Sequence, residues 1–228
     1  SGLLHPFAGL NSCPGSHSYG STGTPPGLDT VDQDMTATPP FSPATTAPDR
    51  ADTPAWVDGV LTPVDKLQAH LQGLRHKAVS VFVIRGTEIL LQRRALGKYH
   101  TPGLWANTCC THPHWDEPSD ACAIRRLDQE LGIRGLFPQY RHHLEYRADV
   151  GKGMVEHEEV DVFLARAFDD LAVTPDPDEV MEIRWTDYHD LLAEIARHPE
   201  RFTPWLKIYL KNHADTIFGP DLKLSSDG

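Results

Sequence analysis

The sequence predicts an α+β sandwich preceded by a long segment with no core of its own. Three observations predict it. Short apolar runs rich in β-branched residues recur from residue 77 onward, with glycine-bearing turns between some of them. Helical stretches with apolar residues at three- and four-residue spacing are mixed among these runs, without the regular alternation of a doubly wound sheet. Residues 1–55 show neither pattern.

That first segment is rich in Pro, Gly, Ser and Thr and contains no Lys or Arg before Arg50. It buries too little apolar surface to offset chain entropy, so residues 1–55 are expected to be a disordered tail. Met35 offers an alternative start, which would leave residues 1–34 outside the native chain. The folded domain is expected over residues 56–220, with a short disordered tail over 221–228. Lys77–Arg85 and Glu88–Arg93 read as strands joined by a hairpin at Gly86-Thr87. Pro118-Ser119 opens a helix to Leu131, with Ala121, Ile124, Leu127 and Leu131 on one side and Gly132 just past its end. Tyr140–Ala148 and Val160–Ala167 read as strands, with Gly151-Lys152-Gly153 as a loop between them. Val180–Trp185 is a further strand. Asp187–Arg197 and Thr203–Ile217 read as helices, the second with Thr203 as N-cap and Pro204 at its first position.

Composition narrows the function. A net charge of -11 argues against a nucleic-acid partner, whose phosphates reward clustered Lys and Arg. No apolar run approaches the 18 residues or so of a membrane span, and neither a secretory signal nor a transit peptide is predicted. Four cysteines, two of them adjacent at 109 and 110, do not form a disulfide framework and fit a reduced, cytoplasmic setting.

The segment Asn107-Thr-Cys-Cys-Thr-His-Pro113 places a thiol, Cys110, two residues before an imidazole, His112. Downstream lies the acidic cluster Glu156-His-Glu-Glu159. A thiol and a carboxylate meeting across a pocket can protonate one face of a substrate and deprotonate the other. On an extended segment Glu156 and Glu158 point to one face and can share an ion. A structural zinc held by Cys109, Cys110, His112 and His114 is the competing idea, although such sites usually draw ligands from two separated knuckles.

Residues 111–133 resemble the Nudix box, G-x5-E-x7-R-E-U-x-E-E-x-G-U, where U is a bulky aliphatic. Glu117, Arg125, Glu130, Gly132 and Ile133 match; Thr111 replaces the first glycine, and Arg126 and Gln129 replace two glutamates. With its flanks, the chain is similar to the type I isopentenyl diphosphate isomerases from about Val60 to Trp205. The carriers are Lys66-x3-His70, His76, Arg93-Arg94-Ala-Leu96 with Lys98, Pro102-Gly-x-Trp-x-Asn107, Cys110-Thr-His-Pro113, Arg125-Arg126, Glu130-Leu-Gly132, Tyr146-Arg147-Ala148, Glu156-His-Glu158 and Phe202-Thr-Pro-Trp205.

The resemblance implies a Nudix-type α/β/α sandwich with a mixed sheet. It also implies interconversion of isopentenyl and dimethylallyl diphosphate in isoprenoid supply, feeding products such as carotenoids. Cys110 and Glu158 would be the catalytic pair, with Tyr146 assisting. His70, His76, His112, Glu156 and Glu158 would hold one divalent ion (manganese, magnesium or zinc), a donor set suited to octahedral coordination. Glu130 would hold a second, magnesium ion arriving with the substrate diphosphate. Lys66, Arg94, Lys98 and Arg126 would grip that diphosphate. Trp205 would stabilise a carbocation, with Trp105 lining the same pocket. His100, His114, His142, His143 and His157 are expected to be structural or on the surface, and Cys109 a small buried apolar residue. The partner is then a small allylic or homoallylic diphosphate, and the enzyme a monomer or weak dimer. A Nudix diphosphohydrolase and a catalytically inactive Nudix binding module are the alternatives.

Overall fold

Strand pairing organises the computed structural model, which describes residues 52–222. The N-terminal tail as far as residue 51, including Met35 and Cys13, and residues 223–228 lie outside the described residues. The strands are β1 (Thr53–Val57), β2 (Val60–Val64), β3 (His76–Arg85), β4 (Glu88–Arg94), β5 (Trp105–Ala106), β6 (Cys109–Thr111), β7 (Gln139–Gly151), β8 (Met154–Arg166) and β9 (Val180–Asp187). The helices are α1 (Lys66–Gln72), α2 (Ser119–Leu131), α3 (Tyr188–Arg197), α4 (Pro204–Asn212) and α5 (Ala214–Phe218).

β3 is the hub. It pairs antiparallel with β1, β4 and β6 and parallel with β8, so the sheet is mixed. β7 closes on β8, and β9 on β4. Side-chain alternation along β3 feeds two cores. Val79, Val81 and Val83 pack under α2 with Leu127, Leu131 and Cys109. Ala78, Phe82 and Ile84 face the other way, toward Leu191, Tyr209 and Phe218 of α3, α4 and α5. One sheet between two helical layers is the expected α/β/α sandwich.

α2 forms where the spacing predicts it, and Leu127 and Leu131 are buried in its inner face, each worth roughly 1.5–3 kcal/mol. It ends because Gly132 turns left-handed at φ 62, its N–H bonding Asp128 O at 2.8 Å while Ile133 N bonds Leu127 O at 3.1 Å. A Cβ there would lie 3.0 Å from the Thr174 carbonyl oxygen. Gly132→Ala is therefore expected to cost about 1–3 kcal/mol, from positive φ and this contact together, read as a lower urea midpoint with unchanged slope.

Several boundaries differ from expectation. Thr53–Ala55, placed in the tail on composition, lie in β1, where Ala55 pairs with His76 and is fully buried. At the other end Asp221 and Leu222 pack onto the domain: Leu222 is buried and Asp221 pairs with Arg141, at 2.6 Å, and with Arg166. β7 and β8 run up to the Gly151-Lys152-Gly153 turn, with Asp149, Val150 and Met154–Glu159 in strand. The helix expected over Thr203–Ile217 breaks at His213, whose backbone leaves helical geometry (φ -133°, ψ 6°) and whose ring meets His142 at 3.1 Å. Thr203 does stand at the cap position, but its side chain makes no capping bond.

Candidate active site

Strand register assembles the site. β3 against β8 sets His76 beside Glu158, β7 against β8 sets Tyr146 beside Glu158, and β3 against β6 sets Ser80 beside Cys110. The short helix α1, capped by the Asp65 carboxylate on Gln68 N at 3.0 Å, delivers His70 from its last turn. The left-handed Gly73 then turns the chain into β3.

His70, His76, His112, Glu156 and Glu158 come together, all buried, with one ligand atom of each within 4.8 Å of the others. Opposed ligands of an octahedral ion lie about 4.2–4.4 Å apart, so a slight contraction would suffice. Tautomers can be inferred from partners. His70 Nδ1 faces Lys66 O at 2.6 Å and His76 Nδ1 faces Leu74 O at 2.7 Å, so both carry the proton on Nδ1. The Nε2 of His70 then faces Glu156 at 3.5 Å, and that of His76 lies 3.1 Å from His112 Nε2 and 3.7 Å from Glu158. Lone pairs aimed at one another call for a cation between them. The buried atoms His70 Nε2 and Glu156 Oε2 have no hydrogen-bond partner, as suits groups that ligate an ion. The residues fit a divalent ion. No cysteine belongs to this cluster, which corrects the zinc alternative: strand alternation sends Cys109 into the core under α2 and Cys110 to the opposite face.

Beside the cluster a cleft is lined by Cys110, Tyr146, Glu156, Glu158, Trp205 and His112, with the cations Lys66, Arg94, Lys98 and Arg126 on its wall. His70 and His76 sit behind it. Glu158 takes His112 Nε2 at 2.9 Å on one oxygen and the Tyr146 hydroxyl at 2.7 Å on the other. Burial alone would raise its carboxyl, but the polar groups around it, Glu156, His76 and Tyr146, hold it down at about 2. Burial pushes the Cys110 thiol up, outweighing hydrogen bonds with Ser80 and Asn107. Burial keeps the thiol protonated, and Asn107 sets where its proton points. Its Nδ2 contacts the Val81 and Cys109 carbonyls at 3.0 and 3.1 Å, which turns Oδ1 toward Cys110 Sγ at 2.9 Å as an acceptor. Trp205 is buried and carries the Arg94 guanidinium 5.3 Å from its ring centre.

Burial, helped by Arg94, Lys66 and Arg126, pulls the Lys98 ammonium down to about 8, against the opposing pull of Glu130. A phosphate-binding lysine works only while protonated. For a diphosphate substrate, kcat/KM should fall as pH rises past about 8, with Lys98→Arg moving that limb alkaline because arginine keeps its charge.

Two expectations change. Trp105 does not line this cleft; it is buried under Arg184, whose guanidinium carbon lies 4.2 Å from its ring centre. His100, expected to be structural or on the surface, lies on the cleft wall, 3.2 Å from Glu156, stacked on His70 and edge-on to Trp205. Burial drives its imidazolium down to about 3, so it is neutral. Its loop position gave no periodic signal. Glu130 stands apart from the five-residue cluster, its oxygens taken by Arg126 at 2.5 Å and Gln92 at 3.1 Å.

The box residues that remain are structural. Glu117 accepts Arg125 through both oxygens, at 2.6 and 2.7 Å, and His114 N at 2.9 Å, tying the loop to α2. Gly132 ends the helix, and Ile133 is buried in the core. The positions filled by Arg126 and Gln129 are those where a Nudix hydrolase carries carboxylates.

Comparison with known proteins agrees with this geometry. Residues 74–206 match the NUDIX domain family. The chain is 73% identical over 173 residues to the isopentenyl-diphosphate Delta-isomerase of Ruegeria pomeroyi, covering 76% of this chain and 96% of that one. It is 66% identical over 166 residues to the protein of the same name from Roseobacter denitrificans, covering 73% and 94%, and 61% identical over 167 residues to that of Rhodobacter capsulatus, covering 73% and 95%. The chain belongs to the Nudix superfamily and, within it, to the type I isopentenyl-diphosphate Delta-isomerases.

Proposed function

We propose that this chain interconverts isopentenyl and dimethylallyl diphosphate, with Cys110 and Glu158 moving the protons. The observation that carries the reading is that a protonated thiol and an ionised carboxylate line one cleft beneath a wall of four cations. Lys66, Arg94, Lys98 and Arg126 bind the diphosphate, arginine by forked donors and lysine as a point charge. This fixes the hydrocarbon end between the pair. One group gives a proton to the terminal methylene carbon, C4, leaving tertiary carbocation character at C3; the other takes a proton from C2, and the double bond moves to C2–C3. By microscopic reversibility the reverse reaction uses the same group at each carbon. Tyr146, hydrogen-bonded to Glu158, carries the proton across the short gap to the substrate. Trp205 faces the cation with its ring, and burial of the aromatic wall keeps out the water that would trap it.

His70, His76, His112, Glu156 and Glu158 would hold a divalent ion, manganese, magnesium or zinc, which would fix the position of Glu158 and alter its acidity. Glu130 would hold a magnesium ion brought by the diphosphate once Arg126 turns to the phosphates. The reaction supplies the allylic building block of isoprenoids, carotenoids among them. Among the described residues no helix is long and apolar enough to cross a membrane.

The test is isotopic. With isopentenyl diphosphate in deuterated buffer, deuterium should enter a methyl group of the dimethylallyl product. Absence of label and of product in metal-loaded protein would refute the activity, and release of inorganic phosphate in its place would indicate hydrolysis.

A further inference from the structure

We infer that Glu179 is an internal competitor for the diphosphate clamp: its carboxylate occupies Lys98 and Arg126 in the free enzyme, and substrate binds by displacing it. The inference rests on the reading of the cleft as a diphosphate site, and it extends that reading to how tightly the site can hold its ligand.

Four cations converge on one cleft, and like charges that close repel strongly unless answered. Besides Glu156 and Glu158 in the cleft, two carboxylates pair directly with Lys98 or Arg126, in different ways. Glu130 is sealed in, its side chain 4% exposed and its two oxygens bound by Arg126 and Gln92. Glu179 is 25% exposed; one oxygen meets Lys98 Nζ and the other lies 3.4 Å from Arg126 Nη2. Its backbone is pinned on both sides. Its N–H bonds Asp176 O at 3.0 Å, its carbonyl accepts from Ala95 N at 3.0 Å, and the next residue, Val180, pairs with Arg94 at the start of β9. The loop is thus fastened to the strand that carries Arg94, and the side chain is the part free to swing toward solvent.

A carboxylate bears one negative charge, whereas a diphosphate bears several and offers more acceptor oxygens, so it wins the same two cations. The competition still subtracts from its affinity. Substrate and product carry the same diphosphate, and binding both equally tightly does nothing for kcat while slowing release. A built-in competitor weakens both together and favours release. It also penalises weaker anions, which cannot displace it.

The experiment uses metal-loaded, full-length protein with magnesium present and inorganic pyrophosphate as the probe, followed by calorimetry. Glu179→Gln, nearly isosteric, and Glu179→Ala should each bind pyrophosphate roughly three- to ten-fold more tightly than wild type. KM for isopentenyl diphosphate should fall in step, and kcat should not rise. In a Lys98→Met background the gain from Glu179→Gln should shrink. Unchanged or weaker pyrophosphate binding in both Glu179 variants would overturn the inference and make the carboxylate a preorganising group or a magnesium ligand. Failure of wild type itself to bind pyrophosphate would strike at the diphosphate reading of the cleft, a separate outcome.

Discussion

Cys110→Ala should lower kcat for isomerisation by about 10³–10⁴-fold while leaving substrate affinity within a few-fold of wild type. The thiol touches Ser80 and Asn107 and opens onto the cleft, whereas the cations that grip the diphosphate lie elsewhere on its wall. Removing Sγ therefore takes out one of two proton-handling groups and spares the anchor. The loss should fall on kcat, because a proton transfer is made only in the transition state. Single-turnover kinetics with labelled substrate, paired with a binding measurement, separates the two quantities. A large rise in KM with kcat intact would make Cys110 a wall residue and not a reacting group.

Glu158→Gln should be at least as damaging, for two reasons that can be measured apart. Glutamine keeps the volume and can still accept the Tyr146 hydroxyl, now 2.7 Å from the carboxylate, but it cannot take up and return a proton. Turnover should fall by about 10³-fold or more on that ground. It also replaces a charged ligand in the five-residue cluster with a neutral one, so affinity for a divalent ion should fall by roughly 10–100-fold. Metal analysis at saturating ion separates the effects. Full occupancy with turnover still lost assigns Glu158 to the chemistry, whereas recovery of turnover at high metal would reduce it to a ligand.

Sequence patterns predict the long elements and the spacing on them, because both are local. The thirteen-residue helix α2, its terminal glycine and the Gly86-Thr87 hairpin each leave a periodic or turn signature. The same-face reading of Glu156 and Glu158 needs only an extended chain, which β8 supplies. Elements too short for periodicity are a different matter. The seven-residue α1 and three-residue β6 carry His70 and Cys110, and nothing local reveals that β3 will set Ser80 beside Cys110 and His76 beside Glu158. His100 and Glu179 leave no local signature for the same reason. One follows Lys98-Tyr99 in a loop, and the other closes an acidic Asp176-Pro-Asp-Glu run that reads as a solvated turn. Their roles come from tertiary partners, Glu156 and Trp205 for the first, Lys98 and Arg126 for the second.

Central to the account is an olefin held between sulfur and carboxylate. The most direct measurement is a crystal structure of metal-loaded Cys110→Ala with isopentenyl diphosphate bound. The diphosphate should lie among Lys66, Arg94, Lys98 and Arg126, with the alkene plane between the two groups. The Glu158–Tyr146 pair should then lie within about 3.5 Å of one of C2 and C4, with residue 110 over the other on the opposite face. An alkene lying outside that gap, or with both groups on one face, would contradict it.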